Sequence, residues 1–398
     1  MRAIGIVCEY NPFHLGHLYQ LTESKHLIGD DAAVVCVMSG DFVQRGEAAV
    51  FSKFARAEAA CRCGADLVVE LPLPWCLSSA EGFASGAVAI LASLGCTHLS
   101  FGSEGGDLAA LKRLADYLLL PDTNEQIHSI MAADGRLAYA RARQLCAQAS
   151  LGDTAKLLTQ PNNILAVEYL KAIKKRESHM DALAVERRGS AHDSGRSEGF
   201  CSAMALREML REGKPISSWI PSGADSVYER ERTAGRTRDE RVLEAALLSR
   251  LYRLHAENFD RLPDAGGGAG RCLCKAIWDG KGVADIVQRA CGKRFTAARM
   301  RRILLCAALD LCAELTKQDP PYIRILAADR RGMDLLHNLG EHVDIPILSR
   351  PASVRKMGDR AEKVFSLGAD AHALYALQFV AIDDRNPNGD WEKAPVFV

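Results

Sequence analysis

Short, unbroken apolar runs alternate with longer amphipathic stretches through the first hundred residues. Residues 3–7 and 32–38 are unbroken apolar runs, 66–71 centres on Leu67-Val68-Val69 and 97–101 carries Leu99 and Phe101; all four are too short for helices and predict strands of a buried sheet. Residues 16–28, 53–64 and 81–94 carry helical spacing between them, with Gly64 and the prolines at 72 and 74 as stop signals. Buried strands separated by helices predict an α/β fold with a doubly wound parallel sheet. Residues 110–180 predict further helices, 181–186 a last strand of this half, and 202–210 a helix. Pro215, Pro221 and Gly223 mark a linker. The expected division is an α/β domain over residues 1–215 and a mostly helical domain over residues 216–398. The second half predicts helices at 239–259, 282–291 and 297–316. Strands are expected at 322–327 and 345–348, around a helix at 333–340.

Length and composition narrow the class more than the activity. A chain of 398 residues, 48% hydrophobic and 25% charged, can bury two cores. Its 50 basic and 50 acidic residues cancel, so any polyanion surface must come from local clustering. No run reaches the roughly 18–20 apolar residues of a membrane helix, and the start shows no signal-peptide pattern. The 13 cysteines are odd in number and scattered in apolar runs, which predicts free thiols and a cytoplasmic protein. Cys61/Cys63 and Cys272/Cys274 lack zinc-site spacing, so no protein-bound metal is expected.

The chemistry concentrates where the first strand meets the first helix, at His14-Leu15-Gly16-His17. Free N–H groups at a helix start and the helix dipole form an anion site. Gly16 lets a phosphate approach the backbone, and flanking histidines can donate to phosphate oxygens as charge builds during attack on phosphorus. Two histidines on a polar surface turn are the plain alternative; the preceding strand and following helix favour the phosphate site. In a doubly wound sheet, the loops after strands one, two and four converge on one crevice. Asp41, Gln44 and Arg45 are expected over it. Glu9 suits charge balance, and Lys53 and Arg56 suit phosphate or RNA contact or a solvated face.

His14-Leu15-Gly16-His17 resembles the signature of the nucleotidyltransferase superfamily, which includes pantothenate synthetase and relatives of class I aminoacyl-tRNA synthetases. Ser202-Ala203-Met204-Ala205-Leu206-Arg207 is similar to the superfamily's late Ser-Thr-x-x-Arg signature. Further stretches are Glu9 to His14, Met38 to Glu47, Phe101 to Glu104, Pro161 to Leu165 and Pro395 to Val398. In that order they resemble the bacterial tRNA(Met) cytidine acetate ligase family along essentially the whole chain. The resemblance implies a HUP-like nucleotidyltransferase fold and an ATP-dependent ligase, with ATP as substrate and Mg2+ as a possible companion. Acetate would be activated as acetyl-adenylate, and the exocyclic amine of the wobble cytidine in elongator tRNA(Met) would accept the acetyl group. The implied catalytic residues are His14, His17 and Arg207. The implied ATP-binding stretch is Val7, Cys8, Glu9, Tyr10, Asn11, Pro12, Phe13, His14, Leu15, Gly16, His17, Leu18, Tyr19 and Gln20. Gly102, Asn162, Asn163, Arg187 and Arg188 complete it, with one of the two asparagines expected as a helix cap.

For an RNA partner the sequence offers Lys293, Arg294, Arg299, Arg301 and Arg302, a run without an intervening acid and with Phe295 inside it. A solvated helix face is the alternative. Two other functions share the loop: a small-molecule nucleotidyltransferase or pantothenate-synthetase-like acyl-adenylate ligase, and a non-catalytic nucleotide-binding regulator. The basic run weighs against the first and the intact His14, Gly16, His17 and Arg207 against the second.

Overall fold

The computed structural model describes residues 2–135, 137–187, 196, 197, 199–339 and 343–398. Its centre is an eight-stranded sheet. The strands are β1 (Ala3–Cys8), β2 (Ala33–Ser39), β3 (Leu67–Leu71), β4 (His98–Ser103), β5 (Asp181–Glu186), β6 (Ile323–Ala328), β7 (Ile347–Leu348) and β8 (Val396–Phe397). Their order is β7-β6-β3-β2-β1-β4-β5, with β8 also pairing β6. The five strands before residue 216 run parallel, and every residue of β2 and β3 is buried, as continuous apolar runs require.

The helices that position the site are α1 (Leu15–Ile28), α2 (Lys53–Arg62), α3 (Ala80–Ser93), α4 (Pro161–Lys175) and α5 (Ala203–Arg211). Beyond them lie α6 (Ala269–Asp279), α7 (Ala297–Ala308), α8 (Asp359–Ala376) and the single turn α9 (Gly389–Glu392). Close packing of α3 on β1 explains Gly5, where a Cβ would stand 2.7 Å from the Leu91 methyls. The helix expected over 297–316 stops at Ala308, because Asp310 takes a left-handed φ of 54°. Likewise the helix expected to reach residue 259 ends at Leu251 and resumes as a 3-10 turn at Ala256–Phe259.

Three strands beyond residue 216 join the sheet. β6 pairs antiparallel with β3, placing Arg324 opposite Glu70, while β7 and β8 both run parallel to β6. The sequence shows β6 as a buried apolar run, but its antiparallel partner lies over 250 residues away and no local signal names it.

Charge, rather than apolar area alone, fastens this junction. Lys53 Nζ lies 2.9 Å from Glu70 Oε1 and 2.8 Å from Asp390 Oδ1. Arg324 Nη1 lies 2.6 Å from Asp390 Oδ2, and Nη2 donates to the Asp390 carbonyl at 2.8 Å. All four residues are buried, and two cations balance two carboxylates. Burial alone would push the Asp390 carboxyl up, but Lys53 and Arg324 hold it far below the usual carboxylate range. Lys53, expected on a phosphate or RNA surface, is thus a buried partner of α9. Asp41 adjoins the same cluster: its Oδ1 accepts from Lys53 N at 2.8 Å and its Oδ2 meets His372 Nδ1 of α8 at 2.7 Å.

A cavity of about 960 Å³ opens by Thr97, Met180 and Pro321, just before β4, β5 and β6. It therefore sits at the amino ends of those strands. The thirteen cysteines are free. Among the described residues no helix is long and apolar enough to cross a membrane.

Removing one carboxylate leaves two cations buried with half their compensation. Asp390→Ala is therefore expected to cost about 3–5 kcal/mol of stability, read as a lowered urea midpoint with residues 389–398 losing hydrogen-exchange protection. An unchanged midpoint would show that α9 is not fastened by this cluster.

Candidate active site

The loop from β1 into α1 is fixed before any ligand contact is made. Arg56, fully buried in α2, donates from Nε to Phe51 O at 3.0 Å and from Nη1 to Glu9 O at 2.5 Å. Its Nη2 reaches Ser39 O at 3.2 Å and also Gly40 O. One guanidinium thereby joins the loops after β1 and β2. Asn11 Oδ1 accepts from Val50 N at 2.8 Å, and Asn11 O accepts from Arg207 Nη1 at 2.9 Å. Phe13 N donates to the Tyr228 hydroxyl at 2.9 Å, and the Tyr228 ring stacks on Phe51 at 4.2 Å.

Side chains in the stretch 7–20 divide by burial. Tyr10, Asn11, Pro12 and Phe13 are buried; Tyr10 lies with its hydroxyl 3.4 Å from Cys36 Sγ and its ring 4.7 Å from Phe13. These four shape the loop from below. Val7, Cys8, Glu9, Leu15, Gly16, His17, Leu18, Tyr19 and Gln20 remain half-buried. Glu9 Oε1 accepts from Gln44 N at 3.0 Å, tying in the loop of Arg45. Burial raises the Glu9 carboxyl against the pull of Arg45, Arg207 and Arg56.

His14 caps α1. Its Nδ1 accepts from Gly16 N at 3.0 Å, and His17 Nδ1 accepts from His14 N at 3.3 Å. The two rings stack with centroids 3.8 Å apart. A neutral imidazole that accepts at Nδ1 carries its proton on Nε2, so each ring retains one N–H donor for a ligand. Burial, followed by the charges of Arg187 and Arg207, pushes His14 down to about 3. Burial, then His14 and Arg187, holds His17 well below the ordinary histidine range. Neither ring offers a positive charge at neutral pH; both offer aimed donors. The first turn of α1 contains no acidic residue, so the helix dipole stays available to an anion. Gly16 has a further reason: a Cβ there would stand 2.8 Å from His14 Cε1, and the ring could not fold back over the helix start.

The other expected residues gather nearby in part. Gly102 pairs with Val185 at the ends of β4 and β5, and a Cβ on it would press Arg187 Cγ at 3.3 Å. Arg187 is exposed, and its charge is felt by both histidines. Asn163 is fully buried, binding Ser103 Oγ at 2.9 Å and Glu104 N at 3.1 Å. Asn162 is the half-buried one, with its amide on Glu104. Arg207 follows the Ser202 cap of α5 by little more than a turn and is buried beneath the loop, against Asn11. Arg188 lies outside the described residues.

The basic run reaches this region at Arg301, whose Nε donates to Arg45 O at 3.3 Å. Arg299 donates to Asp264 O at 3.0 and 2.7 Å and to Gly266 O at 3.0 Å, and Arg302 pairs with Asp264 at 3.0 Å. Arg294 reaches Gly267 O at 3.3 Å; Lys293 is exposed. Arg56, expected on a phosphate or RNA surface or a solvated face, is instead buried with its donors on backbone carbonyls. Tyr228 carries no signal in the sequence that ties it to the loop.

Among the described residues no three His, Cys, Asp or Glu side chains gather to hold a metal ion. The site presents a helix start, two neutral rings and nearby arginine charge.

Neutral histidines give a direct expectation. The unfolded chain protonates near pH 6.5 and the folded His14 only near 3. Stability therefore declines as pH falls from about 6.5 toward 3, because the unfolded state takes up the proton first. In ¹⁵N NMR both rings should show the Nε2–H tautomer from pH 5 to 8 without titrating; a midpoint near 6.5 would contradict the placement.

Comparison with known proteins identifies the family. The model of the HIGH Nucleotidyl Transferase family matches residues 1–389. The tRNA(Met) cytidine acetate ligase of Syntrophotalea carbinolica is 37% identical over 91% of this chain and 89% of its own. That of Caldanaerobacter subterraneus subsp. tengcongensis is 36% identical over 95% and 96%. The crystal structure of Thermotoga maritima TmcAL bound with alpha-thio ATP superposes with a TM-score of 0.92, at 29% identity and full coverage of both chains. Its apo form gives 0.94. The chain belongs to the tRNA(Met) cytidine acetate ligase family of HIGH nucleotidyl transferases.

Proposed function

We propose that this protein is an ATP-dependent ligase that acetylates the wobble cytidine of elongator tRNA(Met) by way of acetyl-adenylate. The observation that carries the chemistry is the stacked, neutral His14–His17 pair at an uncompensated helix start. An acetate oxygen attacks the α-phosphorus, and the bond to diphosphate breaks. Negative charge grows on the phosphate oxygens during that step. The two Nε2–H groups and the α1 amino end supply donors fixed in advance, so little reorganisation accompanies the charge. Neutral rings suit this role, since they donate without holding the ground-state phosphates as tightly as cations would.

Arg207 and Arg187 supply the positive charge. Arg207, buried and bonded to Asn11 O, sets the loop and adds field for the departing diphosphate; Arg187 faces the histidines from the end of β5. Gly102, having no Cβ, lets that arginine's stem pack against the strand end, and Asn162 is assigned to the nucleotide beside Glu104, which holds its amide. Magnesium, when it accompanies ATP, is held by phosphate oxygens and water, the usual habit of that ion. In the second step the cytidine exocyclic nitrogen attacks the acetyl carbonyl, AMP leaves, and the amine gives up a proton. Arg45 and Gln44, tied to Glu9 and α7, border the side from which that acceptor enters.

Incubation with ATP, labelled acetate and bulk tRNA tests the proposal: label should move to tRNA with release of diphosphate and AMP. Label confined to acetyl-adenylate, or diphosphate released with another acid, would make it a small-molecule ligase. ATP binding without diphosphate release would make it a regulator. His17→Ala should slow diphosphate release on the order of 10²–10³-fold with an unchanged circular dichroism spectrum, and an active variant would overturn the mechanism.

A further inference from the structure

The basic run at residues 293–302 spends Arg299 and Arg302 on the backbone and carboxylate of residues 264–266. What those arginines brace is the glycine loop that opens α6. Arg294 adds a bond to Gly267 O, and Gly267 and Gly268 take left-handed φ values of 67° and 88°, which favour glycine. The loop is thus fixed by three guanidinium groups, and α6 leaves it in a set direction.

α6 buries Leu273, Ala276 and Ile277 and turns Arg271, Lys275 and Trp278 to solvent. These three are spaced by four and three residues, so they form one stripe. An indole on the water-facing side of an amphipathic helix is not there for the core. Trp278 is 59% exposed, and the 42% exposed ring of Tyr252 lies 6.2 Å away at 34°. Asp279 is also exposed, but stands about 100° around the helix from Trp278. The stripe itself carries two cations and an aromatic pair, with Lys293 and Arg294 exposed beside its amino end.

We propose that this stripe is an RNA-docking surface, with Arg271 and Lys275 on phosphates and an unpaired base stacked on Trp278 and Tyr252. The proposal rests on the tRNA-ligase reading above and names the surface that holds the acceptor. From Arg271 to Trp278 the helix rises about 10 Å, the span of about three stacked nucleotides. Cations along a backbone beside a sequence-tolerant aromatic platform are the working parts of single-strand recognition. α7 connects the surface to the active site: Arg299 and Arg302 hold the α6 loop, while Arg301 of the same helix holds Arg45 O.

The test uses the full chain. Trp278→Ala should raise the Kd for tRNA(Met) about tenfold, the scale of one lost stacking contact, and Trp278→Phe should restore most of it. Arg271→Ala with Lys275→Ala should lower the slope of log K against log salt by roughly 1–2. ATP–diphosphate exchange should stay unchanged in all three. Unaltered tRNA affinity in variants of an active ligase would overturn the surface and leave the ligase reading intact. So would wild-type self-association that Trp278→Ala abolishes while tRNA affinity holds, since the stripe would then be a contact between copies. A wild-type protein that acetylates no tRNA would overturn the ligase reading, and the surface with it.

Discussion

A single buried guanidinium sets the geometry on which the rest depends. Arg56 is fully buried, and it spends its donors on carbonyls of residues 9, 39, 40 and 51. A charge removed from water is tolerated only when its donors are satisfied. Those four carbonyls must therefore stay where they are, and the loops after β1 and β2 are fixed relative to α2. His14 and His17 follow directly from that loop, so their orientation is inherited from a fully buried residue.

The same logic extends across the chain. Lys53, three residues before Arg56, ties α2 to Glu70 on β3 and to Asp390 near the carboxyl end. Arg324 on β6 closes the cluster through Asp390. The antiparallel β3–β6 junction thereby brings residues from beyond position 320 against the floor of the site, and His372 reaches Asp41 from the same direction. Buried ion clusters of this kind contribute little net stability compared with well-packed apolar residues. Their effect here is register: a four-charge cluster is satisfied in one arrangement of α2, β3, β6 and α9. Catalysis by fixed dipoles needs that kind of constraint, since a donor that moves as charge develops has lost its advantage.

The parallel core and the strand-to-helix loop of His14–His17 were legible in the sequence because both are local. Continuous apolar runs name buried strands, and a His-x-Gly-His step between strand and helix resembles a family signature. Three things were hidden, each for a reason of distance. β6 is an apolar run like the others, but the partner it meets is set by tertiary packing. Lys53 and Arg56 look like solvated cations until Glu70, Asp390 and four carbonyls are seen around them. Arg299 and Arg302 look like RNA contacts until the carbonyls of Asp264 and Gly266 take up the first and the Asp264 carboxylate the second. Conversely Trp278 drew no notice, because an isolated tryptophan in an amphipathic segment looks like core; only the buried positions at 273, 276 and 277 reveal that it faces outward. Charged residues report their roles least well from sequence, since a cation suits water, carboxylate, carbonyl and phosphate alike.

If Arg56 fixes the loop of His14 and His17 before any nucleotide binds, amide hydrogen exchange of residues 9–17 and 39–50, with and without ATP, shows it most directly. The amides of Phe13, His14, Gly16, His17, Gln44 and Val50 should already be protected without nucleotide, and Arg56→Met should remove protection from both segments together. Amides that exchange freely until ATP is added, or a variant that leaves both segments protected, would contradict it.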